Sequence, residues 1–151
     1  MLLNNLQLPV HSSQFIVIMI EKFENLDSWK KARELCKYVF ELTLKASFSK
    51  DFSLINQIRA SSGSGMDNIA EGFGRGGNKE FIQFLYISNG SLSETQSQLY
   101  RAKDRKYISS EEFNKGYDLA HDVIKLNYGM IRYLKSTDQK GQKYSLKEPE
   151  S

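Results

Sequence analysis

The chain contains a glycine-rich segment, residues 71–80 (EGFGRGGNKE), in which basic side chains accompany the glycines. A segment of this kind can hold a phosphate, because the free N–H groups at the start of a helix and nearby positive charges attract anions. A Walker loop would need a preceding strand and a Gly-Lys-Ser/Thr ending, and neither is present. Two interpretations remain open. The glycines serve only to end a helix and form a turn, or Arg75 and Lys79 also contact a phosphate.

The densest basic run lies at residues 101–106 (RAKDRK). Positive charge near the end of a helix is favourable for local reasons, because it offsets the negative end of the helix dipole. The alternative is contact with a nucleic-acid backbone, which would be independent of base sequence and sensitive to salt. The candidate nucleic-acid-binding residues are therefore Arg75, Lys79, Arg101 and Arg105.

A set of polar side chains could act either in catalysis or as a structural network. Its members are Arg59, Asn68, Glu71, Glu80 and Glu94. General acid–base catalysis would need a pocket and a partner nucleophile, and the sequence shows no nucleophile–base pair. We expect a network between helices, in which Arg59 pairs with a carboxylate and Asn68 bridges backbone groups. No catalytic residue is assigned, and the protein is not expected to be an enzyme.

Histidines and cysteine are too few for a metal centre or a disulfide. A di-metal bundle site needs two Glu-x-x-His pairs, whereas the chain has only His11 and His121, and Asp118 stands three positions before His121. The single Cys36 fits a reducing cytoplasm and is expected to be a small, buried apolar side chain. The sequence predicts neither a metal nor a cofactor.

Length and charge indicate one domain with a mildly basic surface. A chain of 151 residues can bury one core but is too short for two domains. The net charge of +3 permits an acidic or nucleic-acid partner without requiring one. The apolar run at residues 15–20 is too short to cross a bilayer. We expect a cytoplasmic protein with no membrane partner and no small-molecule substrate.

Hydrophobic periodicity predicts four long helices, at about residues 27–45, 51–73, 79–106 and 109–135. Asn78 is predicted to cap the third helix, and Ser109 with Glu112 to form a capping box at the start of the fourth. Small residues at 60–67 weaken the helix propensity, but the apolar period continues through them, so the second helix is predicted to be unbroken. Short connections favour an all-α, antiparallel up-down four-helix bundle.

The fourth helix is apolar on two faces. Its second apolar stripe consists of Leu119, Val123, Leu126, Met130 and Tyr133. A helix at the edge of a bundle needs roughly one 100° apolar face, so we expect another copy of the chain to cover the second stripe. The sequence therefore predicts a homo-oligomer.

The two ends of the chain do not share the helical pattern. Residues 1–22 are expected to be an extension that is disordered or that results from an upstream start, with translation beginning at Met19. An arm exchanged between subunits is the alternative. Residues 23–135 are expected to form the bundle, and the polar residues 136–151 a disordered tail.

Five segments, in this order, resemble a known family. They are residues 23–32 (FENLDSWKKA), 57–59 (QIR), 67–75 (DNIAEGFGR), 78–85 (NKEFIQFL) and 90–99 (GSLSETQSQL). Over about residues 23–134 the chain resembles the bacterial four-helix bundle proteins first noticed as products of 23S rRNA intervening sequences. It also looks similar to the accessory bundle proteins of diversity-generating retroelements. The residues that match the family pattern are Asn68, Glu71, Gly72, Arg75, Glu80, Phe81, Gly90, Ser91 and Glu94.

The resemblance implies a bundle that assembles as a ring-like homopentamer. The retroelement accessory proteins bind nucleic acid and a reverse transcriptase, which implies RNA or DNA as a partner. The expected function is that of a non-enzymatic, homo-oligomeric accessory or assembly factor for nucleic acid. The alternative is a protein–protein interaction scaffold with no nucleic-acid role.

Two positions depart from the family pattern. Ala60 follows Arg59 where the family has a pair of basic residues, which weakens the charge-based case for nucleic-acid binding. Gly65 stands where a branched apolar residue is usual. We therefore expect Gly65→Ile to raise the melting temperature.

Overall fold

Four α-helices make up most of the described part of the chain. The computed structural model describes residues 20–138, in which a 3-10 turn, Phe23–Asn25, precedes the helices. These are α1 (Asp27–Thr43), α2 (Phe52–Gly74), α3 (Asn78–Asp104) and α4 (Ser110–Asp138). No strand occurs in these residues, so the predicted all-α four-helix bundle is confirmed. Within residues 20–138, no helix has the length and apolar content that crossing a membrane requires.

Several predictions about the two ends lie outside the described residues. They concern the extension up to residue 18, the start at Met19, His11, and residues 139–151 of the predicted tail. Helix α4 continues to Asp138, so the first residues assigned to that tail are helical.

The predicted helix starts are partly confirmed. At the start of α4, the Ser109 N–H donates to Glu112 Oε1 at 2.9 Å and the Glu112 N–H donates to Ser109 Oγ at 3.1 Å, which is the predicted capping box. The prediction for α3 is wrong, because its N-cap is Gly77. The Asn78 side chain is buried instead and donates to Thr137 Oγ1 at 2.9 Å, since α4 passes beside it and offers an acceptor.

Each helix packs against two neighbours, in the cyclic order α1, α2, α3, α4. Thr43 at the end of α1 contacts Arg59 in the first half of α2, and Asn78 at the start of α3 contacts Thr137 near the end of α4. Contacts of this kind are expected between helices that run in opposite directions. All four helices contribute fully buried side chains to the core, among them Leu35, Ile58, Leu92 and Val123.

Helix α2 is unbroken across its small residues, as predicted. At Gly65 the neighbouring α3 approaches so closely that a Cβ would lie 2.7 Å from Leu92 Cδ2. Leu92 is fully buried and cannot move aside without disturbing the packed core. The Gly65 carbonyl also accepts a hydrogen bond from Ser88 Oγ at 2.6 Å. This geometry favours the opposite effect of Gly65→Ile, a loss of stability, because the small residue allows α2 and α3 to pack closely.

The two apolar faces of α4 are covered within one chain. Helix α4 packs against α3 on one side and against α1 on the other. In the second stripe, Leu119 and Val123 are buried, and Leu126, the most exposed member, is 39% exposed. Covering most of the second stripe therefore does not require another copy of the chain, and the homo-oligomer stays a prediction.

Candidate nucleic-acid interface

Within residues 20–138, Arg59 pairs with no carboxylate, contrary to the prediction. Its Nε donates to Thr43 Oγ1 at 2.9 Å, and its guanidinium lies over the Phe40 ring, 4.5 Å from the centroid. The reason is that α1 runs beside this part of α2 and presents a hydroxyl group and an aromatic ring there. Arg59 therefore fixes α1 against α2.

Asn68 and Glu71 make their contacts within α2. Asn68 Nδ2 donates to the Ser64 carbonyl at 2.8 Å and to Ser64 Oγ at 3.0 Å. It thus binds a backbone group, as predicted, but one on its own helix. Glu71 pairs with Arg75 one turn further along, at 2.9 Å. Neither side chain links α2 directly to α3.

Glu80 and Glu94 also contact their own helix or its cap. Glu94 Oε1 accepts a hydrogen bond from Gln98 Nε2 at 3.2 Å. The Glu80 carboxylate folds back over the backbone of Gly77. Residues three and four apart are neighbours on a helix surface, which explains these local pairings. The five residues predicted to form one interhelical network therefore do not form it.

Along the middle of the two helices, short hydroxyl and amide side chains join α2 to α3. Ser61 Oγ lies 2.8 Å from Thr95 Oγ1 and donates to Gln98 Oε1 at 2.5 Å. The hydroxyl groups of Ser64 and Ser91 are also 2.8 Å apart. Buried hydrogen bonds of this kind require good geometry, because a buried polar group without a partner is costly. They fix the position of α3, and with it the basic residues at both of its ends.

The α2–α3 turn forms one end of the bundle, which we call the glycine-turn end (residues 71–80). The chain leaves α2 through Gly76, whose φ of 77° suits glycine, as predicted for a turn glycine. Arg75, whose side chain is 54% exposed, pairs with Glu71 and lies 5.2 Å from the centroid of the Phe84 ring. Lys79 is exposed on the first turn of α3. Both cations are accessible to a ligand.

The opposite end is held together by an aspartate, and we call it the Asp51 end (residues 44–51 and 105–112). Asp51 caps α2, since its Oδ1 accepts a hydrogen bond from the Leu54 N–H at 3.1 Å. Its Oδ2 accepts from Arg105 at 2.7 Å and from Tyr107 Oη at 2.9 Å. The Leu54 N–H, then the Tyr107 hydroxyl and Arg105, hold the pKa of Asp51 below its usual value. Arg105 is therefore part of a structural ion pair.

The backbone at the Asp51 end explains why α3 is shorter than predicted. Lys106 has a φ of 60°, a left-handed conformation that ends a helix. The N–H groups of Tyr107 and Lys106 donate to the carbonyls of Ala102 and Lys103, each at 2.9 Å, which is a Schellman motif. Helix α3 therefore stops at Asp104.

A second carboxylate strengthens the Asp51 end. Glu112 Oε1 accepts from Lys45 Nζ at 2.5 Å, and the Glu112 carbonyl accepts from Tyr38 Oη at 3.0 Å. Lys45, followed by the Ser109 N–H, holds the pKa of the Glu112 carboxyl below its usual value. These contacts join α1 to the start of α4.

The four predicted nucleic-acid-binding residues fall into two separate pairs. Arg101 donates to Gln57 Oε1 at 2.8 Å, so Arg101 and Arg105 both lie against α2 near the Asp51 end. Arg75 and Lys79 lie at the glycine-turn end. Along α3 the rise from Lys79 to Arg101 is about 33 Å. The two pairs therefore cannot form one compact site, and a ligand that contacts both must be extended.

The structure reveals a basic surface that the sequence did not single out. An open groove between α1 and α4 is lined by Lys31, Lys125 and Arg132, with Asp122, Leu126 and Tyr128. The three cations are far apart in the sequence and form no charge run. The three- and four-residue spacing of the exposed polar residues on α4 was the one available signal, and it is ordinary for a solvated helix face.

Aromatic side chains continue this surface towards α3. The ring centroids of Tyr86 and Tyr128 are 6.4 Å apart, with an interplanar angle of 73°. Lys135 Nζ donates to Tyr86 Oη at 3.1 Å. We call the combined surface the α4 face and define it by Lys31, Tyr86, Lys125, Tyr128, Arg132 and Lys135.

The described residues offer no metal site and an unreactive thiol. Among residues 20–138, no group of three or more His, Cys, Asp or Glu side chains is placed to hold a metal ion. The Cys36 thiol donates to the Ser62 carbonyl at 3.1 Å, and burial raises its pKa to about 11. Cys36 therefore remains protonated at neutral pH, and a protonated thiol is a poor nucleophile.

Comparison with known proteins identifies the family of the chain. The model of the 23S rRNA-intervening sequence protein family matches residues 24–129. The chain belongs to this family. The resemblance predicted from the five sequence segments is thus confirmed.

A solved structure of another protein has a similar fold. It is the crystal structure of a protein of unknown function from the S23 ribosomal protein family of Bacteroides thetaiotaomicron, with 22% sequence identity and a TM-score of 0.64. The match covers 70% of this chain and 98% of that chain. No curated protein matches the chain significantly.

Proposed function

We propose that this member of the 23S rRNA-intervening sequence protein family is a non-enzymatic, homo-oligomeric accessory or assembly factor that associates with RNA or DNA in the cytoplasm. It needs no cofactor or small-molecule substrate in this role. It contacts phosphates through basic side chains, which are Arg75, Lys79, Arg101 and Arg105.

The observation that carries this proposal is the arrangement at the glycine-turn end. Arg75 and Lys79 are exposed on either side of the start of α3. The N-cap there is Gly77, which brings no side chain to occupy the first N–H groups of the helix. The positive end of the helix dipole and the two cations favour an anion there, and a phosphate must compete with the Glu80 carboxylate, which folds back over Gly77.

The other pair of basic residues has a smaller part in the proposal. Arg105 is bound to Asp51, and Arg101 is bound to Gln57. A phosphate that recruits either guanidinium must compete with a partner inside the protein. We therefore assign the main phosphate contact to Arg75 and Lys79 and a secondary contact to Arg101 and Arg105.

Exposed apolar side chains on α1, directly after it and at the start of α2 support the homo-oligomer and also favour the alternative function. Phe40, Leu44 and Phe52 are 49%, 60% and 72% exposed. Large exposed apolar side chains of this kind mark protein–protein contacts when they form a patch. Copies of the chain that bury them would form the proposed homo-oligomer, which the family resemblance implies is a pentamer. In the alternative function, a scaffold with no nucleic-acid role, another protein buries them.

The two functions are separated by titrating the purified chain against structured RNA and duplex DNA at several salt concentrations. The accessory factor binds at low salt, with an affinity that falls steeply as salt rises, because phosphate contacts release counterions. Absence of binding at low salt removes the nucleic-acid role and leaves the scaffold. Light scattering tests assembly independently, and a monomer at micromolar concentration contradicts the homo-oligomer.

A further inference from the structure

We infer that the α4 face binds single-stranded nucleic acid, with bases stacked on the exposed tyrosines and phosphates held by the basic residues beside them. This inference rests on the proposed association with nucleic acid and names the kind of strand and the surface. It differs from the predicted contacts at the ends of α3, because it uses aromatic rings as well as charge.

The α4 part of the face is one continuous stripe. Lys125, Tyr128, Arg132 and Lys135 follow one another at spacings of three, four and three residues, so they lie on one side of the helix. All four are exposed. The stripe is about 15 Å long at 1.5 Å per residue, and its one aromatic ring lies between cations.

The tyrosines present ring surface that the protein leaves open. Tyr128 is 43% exposed and Tyr86 is 44% exposed. Tyr86 is held in place by Lys135, which donates to its hydroxyl group and lies 5.5 Å from its ring centroid. A ring that is already ordered loses less conformational freedom when a ligand binds. The two rings meet edge to face, so their faces point in different directions and would stack bases in different orientations.

The charge on the face is positive, although part of it is compensated. Lys31 lies 3.3 Å from Glu34, and Asp122 lines the same groove. Lys125 and Arg132 have no carboxylate within ion-pair distance in the described structure. These two cations, on either side of Tyr128, are the ones available to phosphates.

A single strand fits this combination better than a duplex or an acidic peptide. In a duplex the base faces are stacked inside the helix, so an exposed ring has nothing to stack on. An acidic peptide would use the cations but would not need the rings. Single strands offer both phosphates and free base faces, and proteins that bind them combine a positive groove with aromatic platforms.

The α4 face also lies in the half of the bundle that contains the glycine-turn end. Tyr86 is two turns along α3 from Lys79, a rise of about 10 Å. The last turns of α4 lie beside the start of α3, where Asn78 contacts Thr137. A strand held on the α4 face can therefore reach Lys79 without crossing the molecule.

The test is fluorescence anisotropy with a labelled oligouridine, an oligothymidine and a duplex of the same length, measured at several salt concentrations. Tyr128→Leu should weaken binding of the single strands by about tenfold, which corresponds to about 1.4 kcal/mol, within the range for stacking one base. Tyr128→Phe keeps the ring and should bind within about twofold of the unaltered chain. Duplex binding should be unchanged in both variants.

The charges are tested with a matched pair of double variants. Lys125→Glu with Arg132→Glu should reduce the salt slope of single-strand binding by about 1.4, because each lost phosphate contact contributes about 0.7. The control, Lys37→Glu with Lys50→Glu, makes the same change in net charge at exposed positions away from the face. Its slope should change less. Circular dichroism melts confirm that each variant is folded.

Four outcomes decide the inference. The losses described above, confined to single strands, support it. Unchanged single-strand binding in the α4-face variants, together with a loss in Arg75→Glu/Lys79→Glu, overturns it and leaves the proposed function intact. Displacement of the labelled oligouridine from the unaltered chain by polyglutamate as effectively as by unlabelled oligouridine of equal charge overturns it as well, since the face would then bind any polyanion. No nucleic-acid binding at low salt overturns the proposed function and this inference together.

Discussion

Both ends of the bundle carry basic residues but use them differently. At the Asp51 end, Arg105 and Lys45 bind the carboxylates of Asp51 and Glu112, and these contacts join different helices. At the glycine-turn end, the ion pair of Arg75 is with Glu71 on its own helix, and its contact with α3 is with the uncharged ring of Phe84. Basic side chains thus stabilise the fold at one end and remain accessible at the other.

The difference shows why a basic run in a sequence is a poor guide to a binding site. The run at residues 101–106 is the densest in the chain, yet Arg101 and Arg105 are occupied by partners from α2. Lys79 stands outside any run and is exposed. Whether a basic side chain is available to a ligand depends on its contacts with the neighbouring helix, and the local sequence does not show those contacts.

The largest effect on stability is expected from a substitution at Gly65, which lies in the middle of α2, away from both ends. Gly65→Ile should lower the free energy of unfolding by about 1–3 kcal/mol through overpacking against Leu92. This exceeds the roughly 0.5 kcal/mol gained in helix propensity. Urea denaturation followed by circular dichroism measures the change. An increase in stability would mean that Leu92 gives way.

Gly63 provides the matched control on the same helix. In the described structure a Cβ at Gly63 would meet no heavy atom within 4 Å. Gly63→Ala should therefore raise the free energy of unfolding by about 1 kcal/mol, the difference in helix propensity between the two residues. If Gly65→Ile and Gly63→Ala destabilise the protein equally, the close approach of α3 is not the reason that position 65 holds a glycine.

Removing a carboxylate should have a smaller effect on stability, and this effect should differ between the two ends. Asp51→Ala removes the cap of α2 and the partner of both Arg105 and Tyr107, so it should lower the melting temperature by several degrees. Glu71→Ala removes only an exposed pair within one helix, and such pairs contribute little. Its melting temperature should stay within about one degree, given the size of effects at exposed positions. Equal losses would contradict the difference between the ends.

The smallest effect is the pH dependence of the Asp51 contribution. The pKa of Asp51 is lowered in the folded protein from its ordinary value of 3.8. Its stabilisation is therefore fully present above that value and is lost as the pH falls through the lower, folded pKa. The difference in melting temperature between the unaltered chain and Asp51→Asn should be constant near neutral pH and shrink in acid. A difference that grows in acid would contradict the sign of this shift.

Local features of the sequence predicted the helices well. The capping box of Ser109 and Glu112 involves residues three apart, and the stripes of α1 to α4 repeat within single helices, so both can be read from short windows. The unbroken α2 was predicted because its apolar period continued through the small residues. The end of α3 was missed, because Lys106 adopts a left-handed conformation that its residue type does not indicate.

Contacts between helices could not be predicted in the same way. Arg59 binds Thr43, and a lone sequence does not show which residue of a neighbouring helix will face it. For the same reason, the sequence did not indicate that α1 packs over the second apolar stripe of α4. The α4 face combines residues from three helices, so it became visible only when the helices were assembled.

The most direct test of the central claim compares charge reversal at the two ends. Arg75→Glu/Lys79→Glu and Arg101→Glu/Arg105→Glu make the same change in net charge, and each is titrated with structured RNA at low salt and melted. We expect Arg75→Glu/Lys79→Glu to lose most of the affinity for RNA while its melting temperature changes little. Arg101→Glu/Arg105→Glu should lower the melting temperature and keep most of the affinity for RNA. The reverse pattern would show that the accessible cations are not the ones that bind nucleic acid.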